Sequence, residues 1–181
     1  MPRFSANISM MFTEHDWLDR PAAAAASGFE AIEIQFPYDH PADEWRSAIG
    51  DAGMAVSVIN IPVGDMLTGG PGLAATPGRQ LEFRRAVEQA HDVAAQLQPR
   101  NVNVLSGFPE QAGHDRALCL ATLAENLRMA TDIMSDIGIG VVVEAANTVD
   151  RPGFLLSTSE QALEAIDRAG HKNLSLEHDL Y

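Results

Sequence analysis

The 181-residue chain is 46% hydrophobic and 20% charged, and 12 basic against 25 acidic side chains leave a formal net charge of −13. A chain of this length buries roughly two-thirds of the surface it exposes when unfolded, so a single domain over residues 1–181 needs no disulfide or metal to complete its core. The acidic balance, with a pI near 4.7, argues against a nucleic-acid backbone or an anionic membrane as the main partner.

No run approaches the roughly 20 apolar residues of a membrane span, and the N-terminal residues lack the apolar core of a signal peptide. The lone Cys119 cannot form an intrachain disulfide, which suits a reducing compartment. The expectation is a soluble, cytoplasmic protein.

Short apolar runs alternate with helical patterns along the chain, the arrangement expected of α/β proteins. The first strand is expected over Phe4–Ser9, followed by a helix from Asp16 to Ser27 stopped by Gly28. A second strand over Ala31–Phe36 precedes a helix from Pro41 to Asp51, and a third covers Ala55–Ile61. The helix from Gly78 to Leu97 is predicted to bury Leu81, Val87, Ala90, Ala94 and Leu97. After a strand at Asn101–Leu105, the helix from His114 to Ile137 is predicted to bury Leu118, Thr122, Ala130, Ile133, Met134 and Ile137. A strand at Gly140–Glu144, a helix through Ala169 with its start signal at Ser157–Glu160, and a strand at Leu174–Asp179 complete six strands and five helices.

Period two inside the strands selects the architecture. Ile32, Ile34 and Phe36 oppose Glu33 and Gln35; Leu174, Leu176 and His178 oppose Ser175, Glu177 and Asp179. A parallel sheet covered by helices on both faces reads apolar on both, whereas a barrel with a polar lumen and an outer helix ring reads like this. The first βα loop also lacks the glycine fingerprint of dinucleotide binding, which disfavours a nicotinamide enzyme.

Glu144 ends a buried strand at its carboxyl end, where βα barrels hold catalytic groups, although a polar residue also terminates strands for no functional reason. Asp179 occupies the equivalent place after the sixth strand, where a helix N-cap is the plainer reading. On adjacent strands, about 5–10 Å apart by inter-strand spacing, the two carboxylates have the reach to share one hard divalent cation, Mg²⁺ or Mn²⁺. Glu177 faces inward one pleat deeper than Asp179 and reads as a barrel-layer residue. The six histidines show no zinc spacing; His15 and His40 lie in loops at the catalytic end, and His178 is expected to point outward.

Seven ordered segments resemble the hydroxypyruvate isomerase family of xylose-isomerase-like TIM barrels. They are Phe4-Ser-Ala-Asn-Ile-Ser-Met10, Phe36-Pro-Tyr-Asp39, Asn60-Ile-Pro-Val-Gly-Asp65, Pro77-Gly-Arg79, Glu144-Ala-Ala-Asn147, Pro152-Gly-Phe154 and His178-Asp-Leu-Tyr181. The resemblance spans the chain and implies a (β/α)8 fold. It also implies interconversion of hydroxypyruvate and 2-hydroxy-3-oxopropanoate through an enediolate, with 2-oxo-tetronate isomerases and ketose epimerases as close relatives. By the same resemblance Glu144 is one of two acid/base glutamates and a ligand of a divalent metal, and Asp179 is a second ligand.

At about 31 residues per βα unit, 181 residues supply nearly six units of eight. The family's strand-seven ligand and second glutamate would follow Tyr181, so the expectation is an incomplete barrel with weak metal binding and little turnover alone. Open sheet edges would also favour a homo-oligomer or a non-catalytic remnant. An endonuclease of the same superfamily fits the charge and the histidine pattern least well.

Overall fold

A computed structural model describes residues 3–178. Six parallel strands lie side by side in sequence order: β1 (Ser5–Asn7), β2 (Ala31–Ile34), β3 (Ala55–Asn60), β4 (Asn101–Val104), β5 (Gly140–Glu144) and β6 (Leu174–Glu177). Five helices alternate with them: α1 (Arg20–Ala26), α2 (Ala42–Asp51), α3 (Gln80–Leu97), α4 (Arg116–Ser135) and α5 (Ser159–Ala169). Neighbouring strands in sequence order, each joined by a helix, form the curved wall of a βα barrel. Among the described residues the wall is open, because β1 and β6 each pair on one side only.

Most boundaries fall within two residues of the sequence expectation. The expected first helix divides into a short 3-10 turn at Trp17–Asp19 and α1 proper, consistent with Pro21 near the start of α1, where a missing N–H costs no hydrogen bond. Helix α5 starts as its sequence requires. The Thr158 hydroxyl accepts from the Gln161 N–H, and the Gln161 side chain accepts from the Ser157 N–H, so two exposed donors at the helix end are satisfied reciprocally.

The side chains that face the helices form the core. Ala6, Ile8, Ile32, Ile34, Val102, Val104, Val141 and Val143 are all fully buried, opposite Phe83, Val87, Leu123, Leu127 and Met134 from α3 and α4. Burying each such leucine or valine contributes about 1.5–3 kcal/mol, so two residues of the expected apolar faces stand out as corrections. Leu81 is 62% exposed and Leu118 is 53% exposed. The rest of the α3 face is as expected, with Val87, Ala90, Ala94 and Leu97 buried and joined by Phe83 and Ala86; in α4 Thr122, Ala130 and Met134 are buried as expected, joined by Cys119, Leu123 and Leu127, while Ile133 and Ile137 are half-buried.

Strand β3 departs from strict alternation. Ile32 pairs with Val56 but Glu33 pairs with Val58, so Ser57 is an extra residue in the ladder. Its hydroxyl donates to the Ile32 carbonyl at 3.0 Å and lies 2.7 Å from the Ser5 hydroxyl. The bulge turns Val56 and Ile59 both into the core and leaves Asn60 on the lumen side.

Candidate active site

Every strand places an amide or carboxylate on the lumen side: Asn7, Glu33, Asn60, Asn103, Glu144 and Glu177. The Asn7 amide donates to Glu33 at 2.8 Å. The Asn103 amide donates to Asn60 Oδ1 at 3.1 Å and to Glu144 Oε2 at 2.9 Å. Both neighbours of Asn103 Nδ2 are acceptors, so the amide orientation is set by chemistry, and Glu144 is held as an acceptor. Asn103 Oδ1 is buried without a hydrogen-bond partner.

Glu144 ends β5 at the carboxyl edge of the sheet, where the sequence puts it, and lines two adjoining cavities. The larger, of about 420 Å³, lies between β5, β6 and the start of α5. The smaller, of about 110 Å³, lies beneath the loops that follow β3, β4 and β5. Parallel pairing sets Glu177 directly beside Glu144 on β6, and both line the larger cavity. Glu177 therefore stands level with Glu144, a relation that depends on inter-strand register and has no signature in the sequence of either strand.

His178 was expected to point outward, yet it lines the larger cavity, with Nδ1 3.0 Å from the Ser159 hydroxyl at the start of α5. His15 borders a separate groove beside α1, and His40 stacks edge-on to Trp45 at 5.9 Å, so neither lines the cavities at Glu144. Cys119 is buried within α4, and burial, reinforced by the Glu110 and Asp115 carboxylates, pushes its thiol up, away from a thiolate nucleophile. Asp179 lies outside the described residues. Among those described, no group of three or more His, Cys, Asp or Glu side chains is placed to hold a metal ion. Glu144 nevertheless is the kind of oxygen donor a hard cation takes.

The roof over the smaller cavity is made by loops stitched to one another. The Phe108 N–H donates to Pro71 O at 2.8 Å, and the Leu155 N–H donates to Gly107 O at 2.9 Å. Leu156 receives the Ala146 N–H at 3.0 Å and gives its own to the Ser106 hydroxyl at 3.3 Å. Phe108 and Phe154 close the seam edge-to-face, with ring centroids 5.3 Å apart. The Tyr38 hydroxyl donates to Asn60 O, at the end of β3, at 2.5 Å; burial raises its pKa far above the ordinary phenol value, so it remains a donor at any physiological pH.

The loop after β3 is braced by Arg79. Its guanidinium donates to Asp65 at 2.8 Å, to Gly72 O at 3.2 Å and to Glu82 at 2.8 and 3.1 Å. Burial raises the Asp65 pKa, but the Arg79 hydrogen bond, the Gly72 N–H and the Arg79 charge together outweigh it and hold the carboxyl below its usual range. This brace carries Met66 and Leu67 to the wall of the smaller cavity.

Comparison with known proteins follows the same lines. A profile of the xylose isomerase-like TIM barrel family matches residues 21–181. The 2-oxo-tetronate isomerase of Cupriavidus necator is 41% identical over 100% of this chain and 69% of its own length. The hydroxypyruvate isomerase of Escherichia coli is 39% identical over 100% of this chain and 70% of its own. The crystal structure of an AP endonuclease, family 2, from Brucella melitensis superposes with a TM-score of 0.95 at 38% identity, over 100% of this chain and 69% of that one.

Proposed function

This chain belongs to the xylose isomerase-like TIM barrel family, and from that premise we propose that it interconverts hydroxypyruvate and 2-hydroxy-3-oxopropanoate, with Glu144 as an acid/base group. It is an isomerase acting on a small sugar acid, as its relatives named hydroxypyruvate isomerase and 2-oxo-tetronate isomerase indicate. The observation that carries the finer reading is the Glu144 carboxylate, lining a cavity at the carboxyl end of β5 and held as an acceptor by Asn103.

Moving the carbonyl of hydroxypyruvate by one carbon requires a proton to leave C3, an enediolate to form across C2 and C3, and a proton to arrive at C2. A carboxylate that accepts a hydrogen bond from a buried amide is oriented and ready to take the first proton, and once protonated it can return it. Glu144 and Asp179 would hold a hard divalent cation, Mg²⁺ or Mn²⁺, which when bound supplies positive charge beside the enediolate oxygens. The buried wall of Asn60 and Asn103 and the roof of Phe108, Phe154 and Leu67 would limit the water reaching the enediolate.

The relative at 41% identity supports a second reading, in which the preferred substrate is a four-carbon 2-oxo-tetronate. The acidic surface favours either small substrate over a nucleic-acid backbone. Incubation with each acid in the presence of Mg²⁺ or Mn²⁺, followed by NMR, separates the two: the first reading predicts a 2-hydroxy-3-oxopropanoate signal from hydroxypyruvate. Conversion of the tetronate alone would replace it with the second.

A further inference from the structure

We propose that Arg151 is the residue that recognises the substrate carboxylate and so selects sugar acids over neutral sugars; this rests on the sugar-acid reading above. The mouth of the site is rich in negative charge, with Glu33, Glu144, Glu177 and Asp150 lining the two cavities in a chain of net charge −13. A carboxylate ligand entering that field is repelled unless a cation meets it. Arg151 is the one Lys or Arg that lines either cavity among the described residues, and it lines both.

Its surroundings leave it available for a ligand. Among the described residues Arg151 takes part in no salt bridge, whereas Arg79 is fully engaged with Asp65 and Glu82. The neighbouring Asp150 carboxylate is instead tied to the Asn147 amide at 3.0 Å, within a turn in which Asn147 Oδ1 also accepts the N–H groups of Val149 and Asp150. The root of Arg151 is held at both ends. Its N–H donates to Asn147 O and its carbonyl accepts from the Phe154 N–H, both at 3.1 Å, and the next carbonyl, of Pro152, accepts from Gln111 at 2.9 Å. The result is a fixed backbone carrying a long exposed guanidinium at the junction of the cavities. Its planar fork matches a carboxylate in two parallel hydrogen bonds, a geometry that an ammonium cannot reproduce.

The test measures binding without turnover, by NMR titration of the chain with D-glycerate, a three-carbon hydroxy acid with no carbonyl to isomerise, and with the neutral dihydroxyacetone. Arg151→Met should weaken glycerate roughly ten- to hundredfold, the range for a hydrogen-bonded charge, and leave dihydroxyacetone unchanged. Arg151→Lys should fall between Met and wild type, and glycerate binding to the wild type should weaken with salt more steeply than binding to Arg151→Met. Equal weakening of both ligands, or glycerate binding unaffected by Arg151→Met, would overturn the assignment while leaving the isomerase reading intact. A wild-type chain that binds neither ligand would overturn the sugar-acid reading as well.

Discussion

Asn103 shows how much of the site depends on single hydrogen bonds. It is 2% exposed, and its amide joins β3 to β5 by donating to Asn60 and Glu144 together. Replacing it with leucine removes the donor from Glu144 and strands the Asn60 oxygen in a buried setting. Asn103→Leu should lose about 1–3 kcal/mol of stability, read by chemical denaturation. An unchanged midpoint would mean that the amide is replaceable by packing. Arg20 shows the opposite economy: a buried guanidinium satisfied by the carbonyls of Ile8 and His15, at 2.9 and 3.1 Å, and by the Trp17 ring 4.0 Å below it.

At the scale of elements, the loops after β3, β4 and β5 act as one unit. Gly107 adopts φ +77°, and a Cβ there would lie 2.3 Å from Pro71 O, so the β3 and β4 loops approach as closely as they do because this residue has no side chain. Gly107→Ala should cost about 1–3 kcal/mol from strain and separation of the loops, seen as a lower melting temperature. The β3 loop has an acid limit of its own. Because the folded Asp65 pKa lies below its unfolded value, near 3.9, the stabilisation from the Arg79 pair is present above that value and is lost as pH falls through the folded pKa. Amide exchange at Gly72, whose N–H donates to the Asp65 carboxylate, should therefore accelerate relative to the rest of the chain only on the acid side of pH 4. Asp65→Asn should show the faster exchange already at neutral pH.

For the whole molecule, the sequence reveals what is local and conceals what is relational. The alternation in β2 and β6, the stop at Gly28 and the cap at Thr158 are each written in a few adjacent residues, so six strands, five helices and the position of Glu144 were legible. The Ser57 bulge, the level placement of Glu177 beside Glu144 and the Phe108–Pro71 seam depend on partners on other strands and loops, and no periodicity encodes them. Leu81 misleads because at about 100° per residue it falls on the side of α3 opposite Val87, Ala90, Ala94 and Leu97, and Leu118 because it flanks the buried arc of α4 in the first turn, so neither shares the periodicity of the face beside it. The chain spans 69–70% of the length of the isomerases it matches, and over that span it forms six βα-barrel strands with Glu144 at their carboxyl edge.

The central claim is that a proton beside a carbonyl is removed at Glu144, and solvent exchange tests it without requiring net conversion. Hydroxypyruvate incubated with the chain and Mg²⁺ or Mn²⁺ in D₂O should take up deuterium at C3 faster than in the protein-free control, and Glu144→Gln should slow this by about 10²–10⁴-fold, the range for loss of a positioned general base. Uptake no faster than in the protein-free control, or equal uptake with Glu144→Gln, would contradict the account.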